Sequence, residues 1–170
     1  QETLKYRVTY LEMDNRPNFD WPKNLKHKLT ILLAENFPAW YFLFFYKQVG
    51  KNYYWTDWLR KTDDEINEFV GNKNVLLYTL IKDGCPVGFY MLDYRIKDIC
   101  DLSFFGLVDE VIGIGLGKYL LQTAILTAWD SRKIKKLTVN TCSLDHKSAI
   151  YLYQKYGFTP VRYKDLEKTV

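Results

Sequence analysis

The chain has 170 residues, with 24 Lys and Arg against 20 Asp and Glu, and its net charge of +4 comes from interspersed rather than clustered groups. That length is enough to bury a proper core as one domain spanning 1–170. The charge pattern excludes a nucleic-acid stripe. The longest apolar run, from Ala39 to Tyr46, is far below the ~20 residues a bilayer needs, so no membrane partner is expected.

Tyr6 to Met13 alternates as a first strand, and Leu25, Leu29, Leu32, Leu33 and Asn36 then keep helical spacing, which predicts a helix there. Pro38 opens a second helix that Gly50 ends. Eleven Phe, Tyr and Trp residues crowd the stretch from Phe37 to Trp58. A helix apolar all round is normally buried; the other uses for these rings are a wall for an apolar substrate or a homodimer surface. Thr62-Asp63-Asp64-Glu65 is a capping box, and Gly71 stops the helix that follows. Val75 to Ile81 and Val87 to Tyr94 flank the turn Asp83-Gly84 as a hairpin. Cys85, Cys100 and Cys142 form no CxxC and no metal-ligand spacing, so reduced thiols in a cytoplasmic protein, with no metal, are expected.

Ile99 to Leu107 reads as a strand that runs, through Val108–Ile112, into Gly113, Gly115 and Gly117 on alternate positions. A helix follows at once, with Leu120, Leu121, Ala124, Ile125 and Ala128 on its inner face. Alternate glycines let successive N–H groups turn toward one point, and the free amides of a helix's first turn add to that positive end. The result is a phosphate cradle. A Walker loop is excluded by spacing, because only three residues separate Gly113 from Gly117-Lys118 and Tyr119 follows instead of a hydroxyl residue. The dinucleotide fingerprint fails too, since its third glycine falls on Lys118 or Leu120. A pyrophosphate clamp of another type remains.

Leu137 to Cys142 reads as the next strand. Asp145 is placed to cap a helix carrying Ala149, Leu152, Tyr153 and Tyr156, and Gly157 to stop it before Phe158 opens another extended segment. From about Ile99 to Phe158 the chain resembles the GNAT superfamily of acyl-CoA-dependent N-acyltransferases. The superfamily's loop pattern lies over Ile112, Gly115 and Gly117, and its second signature over His146, Ala149, Tyr153 and Gly157-Phe158. The runs Phe105-Gly106-Leu107…Gly113-x-Gly115-Leu116-Gly117 and Thr141-Cys142-Ser143-Leu144-Asp145-His146 are similar to one bacterial branch of it. Two positions depart from the pattern. Ile112 replaces a Gln or Arg, and His146 replaces an Asn.

The resemblance implies an α/β fold: a mixed central sheet of about six or seven strands flanked by helices, with the fourth and fifth strands splayed. It implies acetyl-CoA as co-substrate and an unidentified primary amine as acceptor, joined by direct attack in a ternary complex. Gly113, Ile114, Gly115, Leu116, Gly117 and Lys118 would hold the pyrophosphate, and Phe105, Gly106 and Leu107 the pantetheine arm. Tyr153 would protonate the departing thiolate. Asp101, among apolar neighbours that raise its proton affinity, stands where some members keep a glutamate base. His146 is the second candidate base, or a ligand of the pantetheine arm. A non-catalytic acyl-CoA-binding or regulatory module is the alternative, because two polar site groups of the superfamily are absent.

Overall fold

The computed structural model describes residues 1–24 and 26–170. Seven strands form one mixed sheet: β1 (Thr3–Met13), β2 (Leu29–Ala34), β3 (Val75–Lys82), β4 (Cys85–Asp93), β5 (Ile99–Leu107), β6 (Lys136–Cys142) and β7 (Thr159–Thr169). Their spatial order is β2-β3-β4-β5-β6-β1-β7. The helices are α1 (Ala39–Gly50), α2 (Asp63–Val70), α3 (Leu116–Ser131) and α4 (Ala149–Lys155). The expected α/β class and mixed sheet are both present, but the strands that splay are the fifth and sixth rather than the fourth and fifth, because β2 adds a strand where a helix was expected.

Alternation along β4 assigns the two faces, since successive side chains of a strand point to opposite sides. Phe89 and Met91 meet Phe42 and Phe45 of α1 and Ile66 and Phe69 of α2. Tyr90 and Leu92 meet Leu120, Leu121, Ala124 and Ile125 of α3 on the other side. Two hydroxyls fix α3 along β4: Tyr94 donates to the Ala128 carbonyl at 2.8 Å, and Tyr90 bonds Thr127 at 3.0 Å. At the start of α2 the predicted capping box is complete, with Thr62 and Glu65 each accepting from the other's backbone N–H.

The helix expected from Leu25 to Asn36 is instead strand β2, paired antiparallel to β3 from Leu29↔Lys82 to Ala34↔Leu77; Leu25 itself lies outside the described residues. Over six residues, helical spacing and strand alternation overlap. The open edge of β3 offers a ladder that a surface helix would leave unpaired, and that decides the outcome. Asn36, at φ 52°, ends the segment in the left-handed region that asparagine tolerates.

The shortest pairing in the sheet lies between β5 and β6. The two are parallel neighbours, yet their register covers only Ile99↔Lys136, Cys100↔Leu137 and Asp101↔Thr138. Beyond Asp101 the strands part, and the facing N–H and C=O groups of the rest of β5 have no β6 partner.

Candidate functional site

A cavity of about 470 Å³ opens where β5 and β6 separate. Phe105, Gly106 and Leu107 form one wall and Asn140 the other. The glycine loop closes one end, and Leu152 and Tyr153 of α4 close the back.

The loop has the form of an anion cradle. Gly113 (φ 92°) and Gly115 (φ 87°) are in the left-handed region, which a side chain would strain. A Cβ on Gly113 would meet nothing within 4 Å, and one on Gly115 only Lys118 Cε at 3.9 Å, so conformation rather than crowding requires glycine there. No side chain caps α3, and its first turn carries no acidic residue. Among the described residues, no protein acceptor takes the loop and cap N–H groups from 113 to 118. Lys118 places a cation at this positive helix end, an arrangement that becomes favourable once an anion sits between them. These groups fit a diphosphate. Of the residues expected to line the site, Leu116 buries its side chain fully in the core and Ile114 points outward at 45% exposure, so both can contribute only backbone. Ile112 is part of the cavity wall.

Tyr153 is buried between Phe105 and Phe158, with ring centroids at 6.1 and 5.8 Å. Its hydroxyl bonds no protein group among the described residues. Burial, reinforced by the charges of Asp145 and Asp101, pushes its pKa well above the usual tyrosine value. It therefore stays protonated through the neutral range and is available as a proton donor.

Asp101 closes the last rung of the β5–β6 ladder. It accepts from Thr138 Oγ1 at 2.6 Å and Ser103 Oγ at 2.8 Å, and no cation pairs with it among the described residues. Burial raises its pKa, and the two hydroxyls only partly offset this. A buried carboxylate held this way is a proton acceptor closer to neutrality than a surface aspartate.

His146 is exposed, on the turn before α4. Its Nδ1 accepts from the Ser148 backbone N–H at 3.2 Å and faces Ser148 Oγ at 2.7 Å. In the neutral ring the proton is therefore on Nε2, which makes that nitrogen a donor. Asp145 does not cap α4 as expected, because the helix begins at Ala149 with Ser148 as its cap residue. Its carboxylate turns back to the end of β6 instead. There it accepts from Cys142 N–H at 2.9 Å, Thr141 Oγ1 at 2.7 Å and Trp55 Nε1 at 3.1 Å. Three donors at the strand end outcompete a helix cap several residues away. All three cysteines are free. Burial pushes the Cys100 thiol up to about 12 and raises Cys142 as well, so neither is a ready nucleophile.

Val49, at the end of α1, is not singled out by the sequence, whereas Tyr53 and Trp55 just beyond it belong to the aromatic stretch for which a substrate wall is one of the uses named. Val49, Tyr53 and Trp55 line the cavity. The segment carrying them is tied on two sides. Lys51 approaches Asp109 at 3.9 Å and Asn52 hydrogen-bonds the same carboxylate, while Trp55 reaches Asp145 and Tyr53 meets the His146 ring edge-on. The signal for this was glycine as a contact residue: a Cβ on Gly106 would sit 2.3 Å from Val49 Cγ1, and one on Gly50 2.3 Å from Trp55 Cβ. Gly106→Ala is accordingly expected to destabilise the protein by about 1–3 kcal/mol through overpacking. Val49→Ala should recover most of that loss, as read by melting temperature. Equal destabilisation with and without Val49→Ala would mean that the close approach is not the cause.

A family model described as the acetyltransferase (GNAT) family matches residues 30–158. Among solved structures, a GCN5-related N-acetyltransferase from Kribbella flavida aligns with a TM-score of 0.64 at 14% identity, covering 95% of this chain and 56% of that one. An acetyltransferase of the same family from Novosphingobium aromaticivorans gives 0.64 at 15% identity, covering 95% and 63%. One from Elizabethkingia anophelis, with acetyl-CoA bound, gives 0.57 at 22% identity, covering 79% and 78%. The chain thus spans little more than half the length of the first of these. A comparison with curated proteins finds no match. Among the described residues, no helix is long and apolar enough to cross a membrane, and no group of three or more His, Cys, Asp or Glu is placed to hold a metal.

Proposed function

The chain belongs to the acetyltransferase (GNAT) family, and on that premise we propose that it transfers an acyl group, most simply acetyl, from acetyl-CoA to a primary amine in a ternary complex. The observation that carries this reading is the cradle of unbonded N–H groups from 113 to 118, set at the end of a cavity that separates two parallel strands. Acetyl-CoA would supply the acyl group already activated as a thioester. The loop amides and Lys118 hold the diphosphate, and those backbone groups of the Phe105–Leu107 segment that face away from β4 orient the pantetheine arm. Asp101 takes the proton from the incoming ammonium, so that the neutral amine attacks. Tyr153 donates to the leaving sulfur. His146, with its proton on Nε2, serves as a donor to the cofactor rather than as the base.

Thiol release from acetyl-CoA on addition of amines tests the reading, with Asp101→Asn as the diagnostic variant. General-base loss is expected to lower kcat/KM by about 10²–10³-fold. The stability change should run the other way. A carboxylate whose folded pKa is raised costs nothing below its unfolded value near 3.9; the cost sets in as pH rises and is complete above the folded value. The variant's melting temperature at pH 7 is therefore expected to equal or exceed that of the native protein. Amine-dependent thiol release at the native rate in Asp101→Asn would remove this carboxylate from the chemistry.

A further inference from the structure

A second cavity, of about 440 Å³, lies against the sheet beyond the short β5–β6 ladder. Asp101 and Thr138 line it, and Asn140 lines both this cavity and the one between the splayed strands. The two cavities are thus neighbours, with Asn140 common to both linings, next to the last paired rung. The far wall comes from β1 and β7, through Tyr10, Glu12 and Arg162. Both strands lie outside the 30–158 match.

The charges facing this groove sort themselves by pairing. Glu12 is paired with Lys136 at 2.8 Å, and Asp93 with Arg95 at 2.8 Å. Two charges are left without an opposite partner among the described residues. One is Asp101, held only by hydroxyls. The other is Arg162, whose guanidinium carbon sits over the Tyr10 ring, 3.8 Å from its centroid. Stacking holds that guanidinium in place and leaves its N–H edge free for an anion. Asp101 stands on β5, level with Glu12, and Arg162 on β7, level with Tyr10; three strand spacings across and two residues along separate them by roughly 16 Å at the backbone. Arg162 leans back across Tyr10, so the gap between the charged groups is shorter than that.

We propose that this groove receives the amine acceptor and that the acceptor is an amino-carboxylate whose amine and carboxylate are several bonds apart. Its ammonium meets Asp101 at the inner end, and its carboxylate pairs with Arg162 at the rim. The assignment rests on the acyl-transfer reading. A simple polyamine would leave Arg162 unmatched, and an α-amino acid using its own α-carboxylate is too short to reach both ends.

Calorimetric titration of ε-aminocaproate and of its neutral amide into the protein saturated with coenzyme A tests this without requiring turnover. The carboxylate is expected to bind about tenfold more tightly than the amide, a difference of about 1.4 kcal/mol. Arg162→Ala should abolish that preference while leaving the amide's affinity unchanged, and Arg162→Lys should retain part of it. Arg162 is exposed on an edge strand, so these variants are expected to fold. Equal affinities in the native protein, binding of neither compound, or a preference that survives Arg162→Ala would overturn the assignment. Thiol release from acetyl-CoA, followed in parallel, separates the two readings. Release without a carboxylate preference counts against the groove assignment alone. A carboxylate preference without release supports the groove and counts against acyl transfer.

Discussion

In the Gly117→Asp variant, coenzyme A is expected to give no thermal protection. In the native protein, ligand at a hundredfold excess over Kd contributes about 2.7 kcal/mol, or a shift of roughly 5–10 °C for a chain of this size. Gly117 is the informative position because its φ is ordinary: unlike Gly113 and Gly115, it is not in the left-handed region. A Cβ there would meet Leu107 Cδ1 at 3.9 Å and Leu152 Cδ2 at 4.0 Å, which is ordinary contact. The fold therefore tolerates a side chain, and only a ligand lying against the backbone would be displaced. An aspartate adds a negative charge at the helix N-terminus, which stabilises the helix while repelling a phosphate. The unliganded melting temperature should stay the same or rise. Undiminished protection by coenzyme A in this variant would move the diphosphate away from the loop, and the acyltransferase reading would lose its main support.

Tyr153→Phe is expected to lower kcat by about 10²–10³-fold with little change in the KM for acetyl-CoA, because a general acid acts on the departing group and not on ground-state binding. The hydroxyl makes no bond to a protein group among the described residues, so its removal leaves no buried partner unsatisfied there and should cost little stability. The pH profile supplies an independent check. Burial raises the Tyr153 pKa, so the phenol remains a donor throughout the neutral range and produces no alkaline decline there. Asp101 is raised too, so activity should climb with pH as its carboxylate loses its proton. Turnover in Tyr153→Phe at the native rate would require another proton source, and His146 Nε2 would be the first to examine.

The local features were those legible in sequence. The capping box at Thr62, the hairpin around Asp83-Gly84, the strand from Ile99 to Leu107 and the inner stripe of α3 all depend on neighbours within a few residues. Periodicity and turn chemistry report such neighbours directly. Where local signals were ambiguous, tertiary partners decided. Leu29 to Ala34 carried a helix spacing and became a strand because β3 had an open edge. Asp145 carried a cap signature and bonded instead to the end of β6 and to Trp55, a residue 90 positions away in sequence. The aromatic stretch divided as well. Phe42, Phe45 and Tyr46 pack into the core, whereas Trp40 stays 69% exposed.

By itself, the sequence marked the glycine loop as a candidate phosphate cradle, because glycine spacing and a following helix are enough to aim amides at an anion, and the resemblance to the GNAT superfamily then pointed to acetyl-CoA. It also determined Tyr153 and Asp101 as residues to consider. It could not say that β5 and β6 pair for only three rungs, that the end of α1 forms a wall of the cavity, or that β1 and β7 place Arg162 across a groove from Asp101. Those facts depend on strand order and register, which bring together residues more than a hundred positions apart. No pattern within one segment encodes them, since they follow from how the whole sheet buries its two faces.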